Sequence, residues 1–366
     1  MALDLPDFPW DSLTAFAATA RAHEGGIVDL SVGSPVDPTP AIIREALATA
    51  TDAHSYPQVA GTPALRAAIA EWYDRRRGVV GLGDENVLPT IGSKELIAGM
   101  ALWLGIGPGD TVVYPTNAYP TYELSAALVG ADALASDDPA EWPASTRLVW
   151  LNSPGNPDGT VLTIEQLRAA VARARELGAV IAGDECYAEL GWEGEWSDSP
   201  TPCILDSRVV GDDPHGVVSV YSLSKQSNLA GYRAGFVAGC PSVIGQLLAV
   251  RKHAGLMPPA PVQEAMVVAL ADEAHVAEQK ARYRSRRERL SAALVASGFR
   301  IDASEAGLYL WATRGEDAWT SISWLADRGI LAAPGTFYGP AGARHVRIAL
   351  TTTDERIDAA VTRLVA

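Results

Sequence analysis

Val217-Val218-Ser219-Val220-Tyr221 runs without a break into Ser222-Leu223-Ser224-Lys225, and Ala230-Gly231-Tyr232-Arg233-Ala234-Gly235 follows. The first five residues read as a buried strand, and the polar stretch after them reads as the loop at its C-terminal edge. In an open α/β sheet that edge is where ligands bind. A lysine there can form a Schiff base with an aldehyde cofactor. Hydroxyls on Ser222 and Ser224, with Arg233 in a glycine-flanked turn, can hold a phosphate. An aldehyde and a phosphate together suggest pyridoxal phosphate (PLP), to which a protein contributes a lysine and a partner for the pyridine nitrogen. Taken alone, Ser-x-Ser-Lys also fits an ordinary polar loop, so the rest of the chain must decide.

Upstream, short apolar runs alternate with helical stretches. Strands are predicted at 87–91, 111–114, 132–135, 148–151, 179–182, 217–221 and 234–238. The segments between them, such as 164–177, carry a helical apolar period. This alternation predicts an α/β fold with a mostly parallel sheet. The last two strands are joined only by residues 222–233, which leaves little room for a crossover helix, so the final strand is expected to run antiparallel at or near an edge. Thr62-Pro63-Ala64-Leu65-Arg66 opens a helix that runs to Tyr73. A long amphipathic helix is expected over roughly 262–297, after Met257-Pro258-Pro259-Ala260-Pro261. Strand-like pieces at 309–312 and 345–350 then mark a smaller α+β domain. Residues 41–250 are expected to form the large domain, and residues 1–40 with 251–366 the small one.

The 366 residues are 48% hydrophobic and 20% charged, enough for sizeable cores. A net charge of −15 argues against general nucleic-acid binding. It leaves room for a local basic pocket. Three cysteines, Cys186, Cys203 and Cys240, lack a CxxC pair and point to a reducing compartment without a disulfide frame or metal site. The acidic start, Met1 to Asp7, does not read as a signal peptide. No apolar run reaches membrane-spanning length. The expectation is a cytoplasmic protein with no membrane or nucleic-acid partner.

Further segments fall at predicted strand ends. Gly92-Ser93-Lys94 opens a helix, and exposed N–H groups at a helix start suit a phosphate, although a serine cap alone explains the pattern. The rigid loop Asn152-Ser153-Pro154-Gly155-Asn156-Pro157 presents Asn156, which can donate to a phenolate oxygen. Gly183-Asp184-Glu185-Cys186-Tyr187 offers a carboxylate for a protonated pyridine nitrogen and a second phenolate donor in Tyr187. A strand-end aspartate also serves as a helix cap. Tyr119 can stack on a flat heteroaromatic ring, or simply pack. In His345-Val346-Arg347-Ile348-Ala349-Leu350 an arginine sits inside an apolar strand, where it needs an anionic partner unless it faces solvent. A planar guanidinium suits an amino acid's α-carboxylate.

Taken in order, Tyr56…Gly61, Gly92-Ser93-Lys94, Tyr119, Asn156-Pro157, Asp184-x-x-Tyr187, Ser222-x-Ser224-Lys225, Arg233 and Arg347 resemble the class I/II aminotransferases of fold type I. The resemblance spans nearly the whole chain. It implies a fold-type I PLP-transferase: a seven-stranded, mostly parallel sheet with one antiparallel strand, plus a smaller α+β domain. It also implies that Lys225 carries PLP and moves the substrate proton, with Asp184 on the pyridine nitrogen. Asn156 and Tyr187 are implied at the phenolate oxygen, Tyr119 on the ring, and Gly92, Ser93, Lys94, Ser222, Ser224 and Arg233 around the phosphate. Tyr56 matches a residue that reaches the neighbouring subunit's site, implying a homodimer. Arg347 matches the substrate-carboxylate arginine, and Gly33 a segment that closes over the substrate.

The finer resemblance is to actinobacterial N-succinyldiaminopimelate aminotransferases. It rests on Phe8-Pro9-Trp10-Asp11, Val28 to Gly33 with Pro35-Val36-Asp37-Pro38, Ile91 to Ile97, Ala230 to Phe236, and Gly307 to Arg314. It implies an amino transfer between N-succinyl-LL-2,6-diaminopimelate and 2-oxoglutarate/glutamate. Lys94 stands where many relatives carry a small or amide residue, and it can read a distal substrate carboxylate instead of the phosphate. A dehydrogenase would need G-x-G-x-x-G, which the glycines at 78–83 and 105–109 do not supply. A PLP-domain transcription regulator would need an added basic domain. Aminotransferases of alanine, aspartate or aromatic donors, and PLP C–S lyases, share the cofactor residues and stay open as alternatives.

Overall fold

The computed structural model describes residues 9–366. The acidic start and Phe8 lie outside the described residues. Thirteen strands occur among them: β1 (Val28–Asp29), β2 (Val87–Ile91), β3 (Thr111–Tyr114), β4 (Asp132–Ala135), β5 (Thr146–Asn152), β6 (Val180–Asp184), β7 (Val217–Ser222), β8 (Ala234–Gly239), β9 (Arg300–Asp302), β10 (Tyr309–Thr313), β11 (Ile330–Leu331), β12 (Ala333–Pro334) and β13 (Val346–Ala349).

Seven of them form one sheet in the order β2-β8-β7-β6-β5-β3-β4. β8 pairs antiparallel with β2 and with β7, and the other pairings are parallel. The reversed strand is therefore the expected one, a single position in from the edge. Its cause is the short link after β7. That link holds only the one-turn helix Leu223–Gln226 and a tight turn at Ala230–Tyr232, so the chain folds straight back. A four-stranded antiparallel sheet, β12-β13-β10-β9, is built from the C-terminal part. β1 pairs in parallel with β11, Val28 opposite Ile330, which fastens the N-terminal segment to that part.

The expected long helix is two helices, Ala260–Ala271 and Ala274–Ala296. Asp272 breaks it: its backbone is extended, and its carboxylate accepts the His275 N–H at 3.1 Å as the second helix begins. The halves serve different cores. Val262, Met266 and Leu270 pack beneath the large sheet, whereas Tyr283, Leu290 and Leu294 pack with β10 and β13. The first half, grouped by sequence with residues 251–366, thus joins the core of the large sheet.

The helix expected from Thr62 spans Pro63–Trp72, with the Thr62 hydroxyl capping the Leu65 N–H at 3.1 Å. It continues as a five-residue π turn, Tyr73–Arg77. A π turn carries an extra residue and commonly marks a functional region. Here Arg77 meets Glu185, Nη2 to Oε2 at 2.9 Å, with side chains 1% and 3% exposed. Glu185 Oε1 also accepts the Ile204 N–H at 2.7 Å. Glu185 follows the last residue of β6, so this buried pair fixes where β6 ends. Removing one partner of a buried ion pair leaves the other charge uncompensated, which costs about 3–5 kcal/mol. Arg77→Met is expected to lose that much stability by chemical denaturation. Adding Glu185→Gln, which removes the stranded charge, should recover most of it.

Candidate active site

β5, β6 and β7 end on Asn152, Asp184 and Ser222, and all three residues line one cavity of about 550 Å³. The opposite wall carries Gly33, Tyr309 and Arg347 from the N-terminal segment, β10 and β13. Ser93, Lys94, Tyr119, Asn156, Tyr187, Ser224, Lys225 and Arg233 complete its polar lining. Apart from Tyr56 and Gly92, every site residue expected from sequence therefore lines this cavity. Tyr56 is 96% exposed and lies on the surface of this chain.

Lys225 rides on the one-turn helix Leu223–Gln226. The Ser222 hydroxyl accepts the Ser224 N–H at 3.2 Å and donates to the Ser224 hydroxyl at 2.8 Å, which sets the turn. Burial holds the Lys225 ammonium below its usual range. Its Nζ donates to the Gly33 carbonyl oxygen. Gly33 is required there, because a Cβ would stand 2.1 Å from the Tyr309 hydroxyl oxygen.

Gly92 supplies the close approach on the other side. Its φ is +70°, and a Cβ would stand 2.4 Å from Arg233 Nη2. Arg233 itself takes a left-handed φ of +55°, and its Nη1 donates to the Ala230 carbonyl oxygen at 2.9 Å. Ser93, Ser222, Ser224 and Arg233 thus converge on one end of the cavity beside a bare backbone, an arrangement that fits a phosphate.

Asp184 is buried, and burial pushes its carboxyl above the usual range. Oδ2 accepts from the Tyr122 hydroxyl at 2.7 Å, and Oδ1 from the Cys186 N–H at 3.2 Å. Among the described residues no cation pairs with it. Arg347 is the converse case: buried, with no acidic side chain pairing with it among the described residues. It donates to Asn156 Oδ1 at 2.9 Å and to the Ser31 carbonyl oxygen at 2.7 Å, while its Nε has no partner. Its guanidinium lies 3.9 Å from the Tyr309 ring centroid and 4.8 Å from that of Tyr338. The Tyr187 and Tyr309 hydroxyls are 3.2 Å apart. Lys94 Nζ stands 5.7 Å from the Tyr119 ring centroid.

Four residues at or beside this site carried no sequence assignment: Tyr122, Cys186, Tyr309 and Trp10. Tyr122 had a signal, since it follows Tyr119 by three residues at the start of a helix. Tyr309 stands in a strand pattern that reads equally well as core.

Residues 26–364 match the profile of the aminotransferase class I and II family. The chain is 54% identical over 362 residues to the 4-dedimethylamino-4-oxo-anhydrotetracycline transaminase of Streptomyces rimosus, covering 99% of both chains. It is 53% identical to a probable aminotransferase of Mycobacterium tuberculosis, covering 98% of this chain and 85% of that one. A solved structure of a probable N-succinyldiaminopimelate aminotransferase from Thermus thermophilus superposes with a TM-score of 0.86 at 29% identity, covering 98% and 99% of the two chains. The chain belongs to the class I and II aminotransferases, PLP-dependent enzymes of fold type I. A buried carboxylate lacking a cation, a buried lysine, and a hydroxyl-arginine cradle at a bare glycine all suit that cofactor.

Gly92→Ala is expected to push Arg233 aside, because both the added Cβ and the positive φ oppose it; the backbone term alone is about 1–2 kcal/mol. Titration of the apo-protein with PLP should show affinity reduced by about tenfold or more. Unchanged affinity would mean that Arg233 does not hold the phosphate.

Proposed function

We propose that this aminotransferase moves an amino group between N-succinyl-LL-2,6-diaminopimelate and the 2-oxoglutarate/glutamate pair. The charge of the cavity carries this reading. Lys94, Lys225, Arg233 and Arg347 line it, against the single carboxylate of Asp184, in a chain of net charge −15. Lys225 takes the cofactor's aldehyde carbon, Arg233 its phosphate and Arg347 the substrate's α-carboxylate. Lys94 is left over. Its Nζ stands 5.7 Å from the Tyr119 ring centroid, in a cavity that Ile97, Pro120 and Leu124 also line, and there it suits a second, distant carboxylate. Both the succinylated donor and glutamate bring one. The Thermus relative's name supports the same substrate.

When bound, the cofactor supplies an electron sink for the bonds at the substrate Cα. Lys225, its ammonium lowered by burial, takes up and returns the Cα proton. Asp184 stabilises a proton on the pyridine nitrogen. Asn156, whose Oδ1 is occupied by Arg347, turns its amide N–H₂ to the phenolate oxygen, with Tyr187 as the second donor. Tyr119 would lie against the ring. Gly92, Ser93, Ser222, Ser224 and Arg233 would hold the phosphate. The Gly33 segment would cover the substrate and exclude water. We also propose that residues 41–250 and residues 1–40 with 251–366 act as large and small domains, the helix Ala260–Ala271 excepted because it packs in the core of the large sheet. The working unit is a homodimer, with Tyr56 reaching the neighbouring site. Its place is the cytoplasm, where the three buried free cysteines stay reduced.

A second reading follows the Streptomyces relative: a fused-ring ketone would fill the apolar part of the cavity, by Trp10, Val32, Ile97 and Leu124. Such a substrate leaves Arg347 without a carboxylate in its own half-reaction, while the amino acid that supplies the amino group in the other still brings one. Turnover on a donor panel separates the two. The succinylated donor should be preferred, and Lys94→Ala should lower its kcat/KM by about 10–150-fold while sparing alanine, the range for a lost hydrogen bond to a charged group. Arg347→Lys should weaken every amino and oxo acid, because lysine cannot make the two-pronged contact. Preference for the anhydrotetracycline ketone as amino acceptor, with Arg347→Lys weakening the amino-acid half-reaction but sparing the ketone half-reaction, would replace the first reading with the second. An equal loss on all donors in Lys94→Ala, together with weaker PLP binding, would put Lys94 at the phosphate.

A further inference from the structure

Tyr122 lies in the first turn of the helix Thr121–Ala127 and is wholly buried. Its ring stacks on Trp150 of β5, centroids 5.4 Å apart and planes at 27°, and meets Tyr119 edge-on at 6.2 Å. Trp150 pairs with Ala182 in the register that also sets Asn152 beside Asp184. The turn that leads into this helix, closed by the Tyr122 N–H on the Tyr119 carbonyl oxygen at 3.1 Å, delivers Tyr119 to the cavity and the Tyr122 hydroxyl to Asp184 Oδ2, 2.7 Å away. Tyr122 itself does not line the cavity, so whatever it does passes through Asp184.

The hydrogen bonding around Asp184 has only one consistent direction while that group is ionised. A carboxylate accepts and cannot donate, so the phenol must donate to Oδ2 and the Cys186 N–H to Oδ1. A protonated Asp184 still accepts the phenol at one oxygen, but a neutral carboxyl is a poorer acceptor than a carboxylate, so the phenol's hydrogen bond favours the ionised form. Both donors are neutral, and no cation of the described residues pairs with Asp184. Burial works against the ionised form, and these two donors oppose burial. The buried thiol of Cys186 also hydrogen-bonds Asp184 and opposes burial; a thiol is intrinsically the weaker donor, which leaves the phenol as the one strong side-chain donor to that carboxylate.

We propose that Tyr122 is a positioning residue: its hydroxyl holds Asp184 as an acceptor facing the pyridine nitrogen, and so keeps the proton on that nitrogen rather than on Asp184. The inference concerns the cofactor and holds whichever amino donor the enzyme uses. Losing the phenol would make Asp184 more basic. The shared proton would then move from nitrogen to carboxylate, leaving a neutral pyridine and a weaker electron sink.

The test uses the holoenzyme carrying PLP labelled with ¹⁵N in the ring, compared at the pH where the wild-type nitrogen is half-titrated. In Tyr122→Phe, which keeps the ring packing, the nitrogen resonance should move towards the unprotonated position. PLP affinity of the apo-protein should fall about tenfold. The kcat should fall by about tenfold or more, with KM for the amino donor changed less than about threefold. Circular dichroism and melting temperature establish that the variant is folded. Replacing Tyr122 by 3-fluorotyrosine gives a second measurement that preserves shape and strengthens the donor. It should move the nitrogen resonance the opposite way, towards fuller protonation, and it decides the matter alone if Tyr122→Phe does not fold. An unmoved resonance in a folded Tyr122→Phe protein, or a fluorinated protein that shifts in the same direction as Phe, overturns the proposal.

Discussion

Two buried charges of opposite sign, Asp184 and Arg347, have no counter-ion among the described residues, and the site is organised around that deficit. Taking a lone charge out of water costs several kcal/mol, and proteins normally meet the cost with an ion pair. Elsewhere the chain does so: Arg77 has Glu185, and Arg286 has Asp37 at 2.7 Å through two parallel hydrogen bonds. At the active site neutral groups stand in. A phenol and a backbone N–H serve Asp184; a carbonyl oxygen, an amide oxygen and aromatic faces serve Arg347. These partners keep each charge hydrogen-bonded without cancelling it. A ligand with a protonated ring nitrogen at one end and a carboxylate at the other supplies both missing charges, so binding energy arises from a deficit present before the ligand arrives.

The position of Lys225 depends on how its loop is tied down. Asn228 follows it in a left-handed conformation and donates to Gln279 at 2.9 Å. Gln279 donates to Asp37 at 2.8 Å, and Arg286 grips the same carboxylate. Thr39 donates to the Asn228 carbonyl oxygen at 3.0 Å. The lysine loop, the segment that carries Gly33 and the helix Ala274–Ala296 are thus joined by one polar chain. Arg286 donates onward to Asp354 at 3.0 Å, which extends the chain to the C-terminal helix. Any movement of the Gly33 segment over the cavity must be accommodated within this network.

Much of this was legible in the residues. The reversed strand followed from the shortness of the 222–233 link, a matter of chain length alone. Lys225, Asp184 and Asn156 were legible because strand ends in parallel sheets converge, so residues far apart in sequence become neighbours. Arg347 was legible because an arginine amid apolar strand residues needs an explanation. The helical break at Asp272 was hidden, since apolar spacing continues across it and only a side-chain cap interrupts the backbone. Tyr122 and Tyr309 were hidden for another reason. An aromatic residue in an apolar pattern looks like core, and both are core; only the partner of each hydroxyl distinguishes them, and that partner lies far off in sequence, at the end of β6 or just beyond it.

The short link after β7 also carries both proposed anchors, Lys225 for the cofactor's aldehyde and Arg233 for its phosphate. Lys225 and Arg233 lie on a single excursion between two hydrogen-bonded strands, Ser222 opposite Gly235, so their separation is set by sheet geometry rather than by packing. Arg347 stands on a different sheet, reached through the N-terminal segment and β13. Under the proposed function the two ends of the ligands would therefore be held by different parts of the fold. The cofactor end would belong to the sheet edge and its one-turn helix. The substrate end would belong to the aromatic rings around Arg347 with the Ser31 carbonyl and Asn156. A reaction in which the cofactor stays while two substrates alternate suits that division.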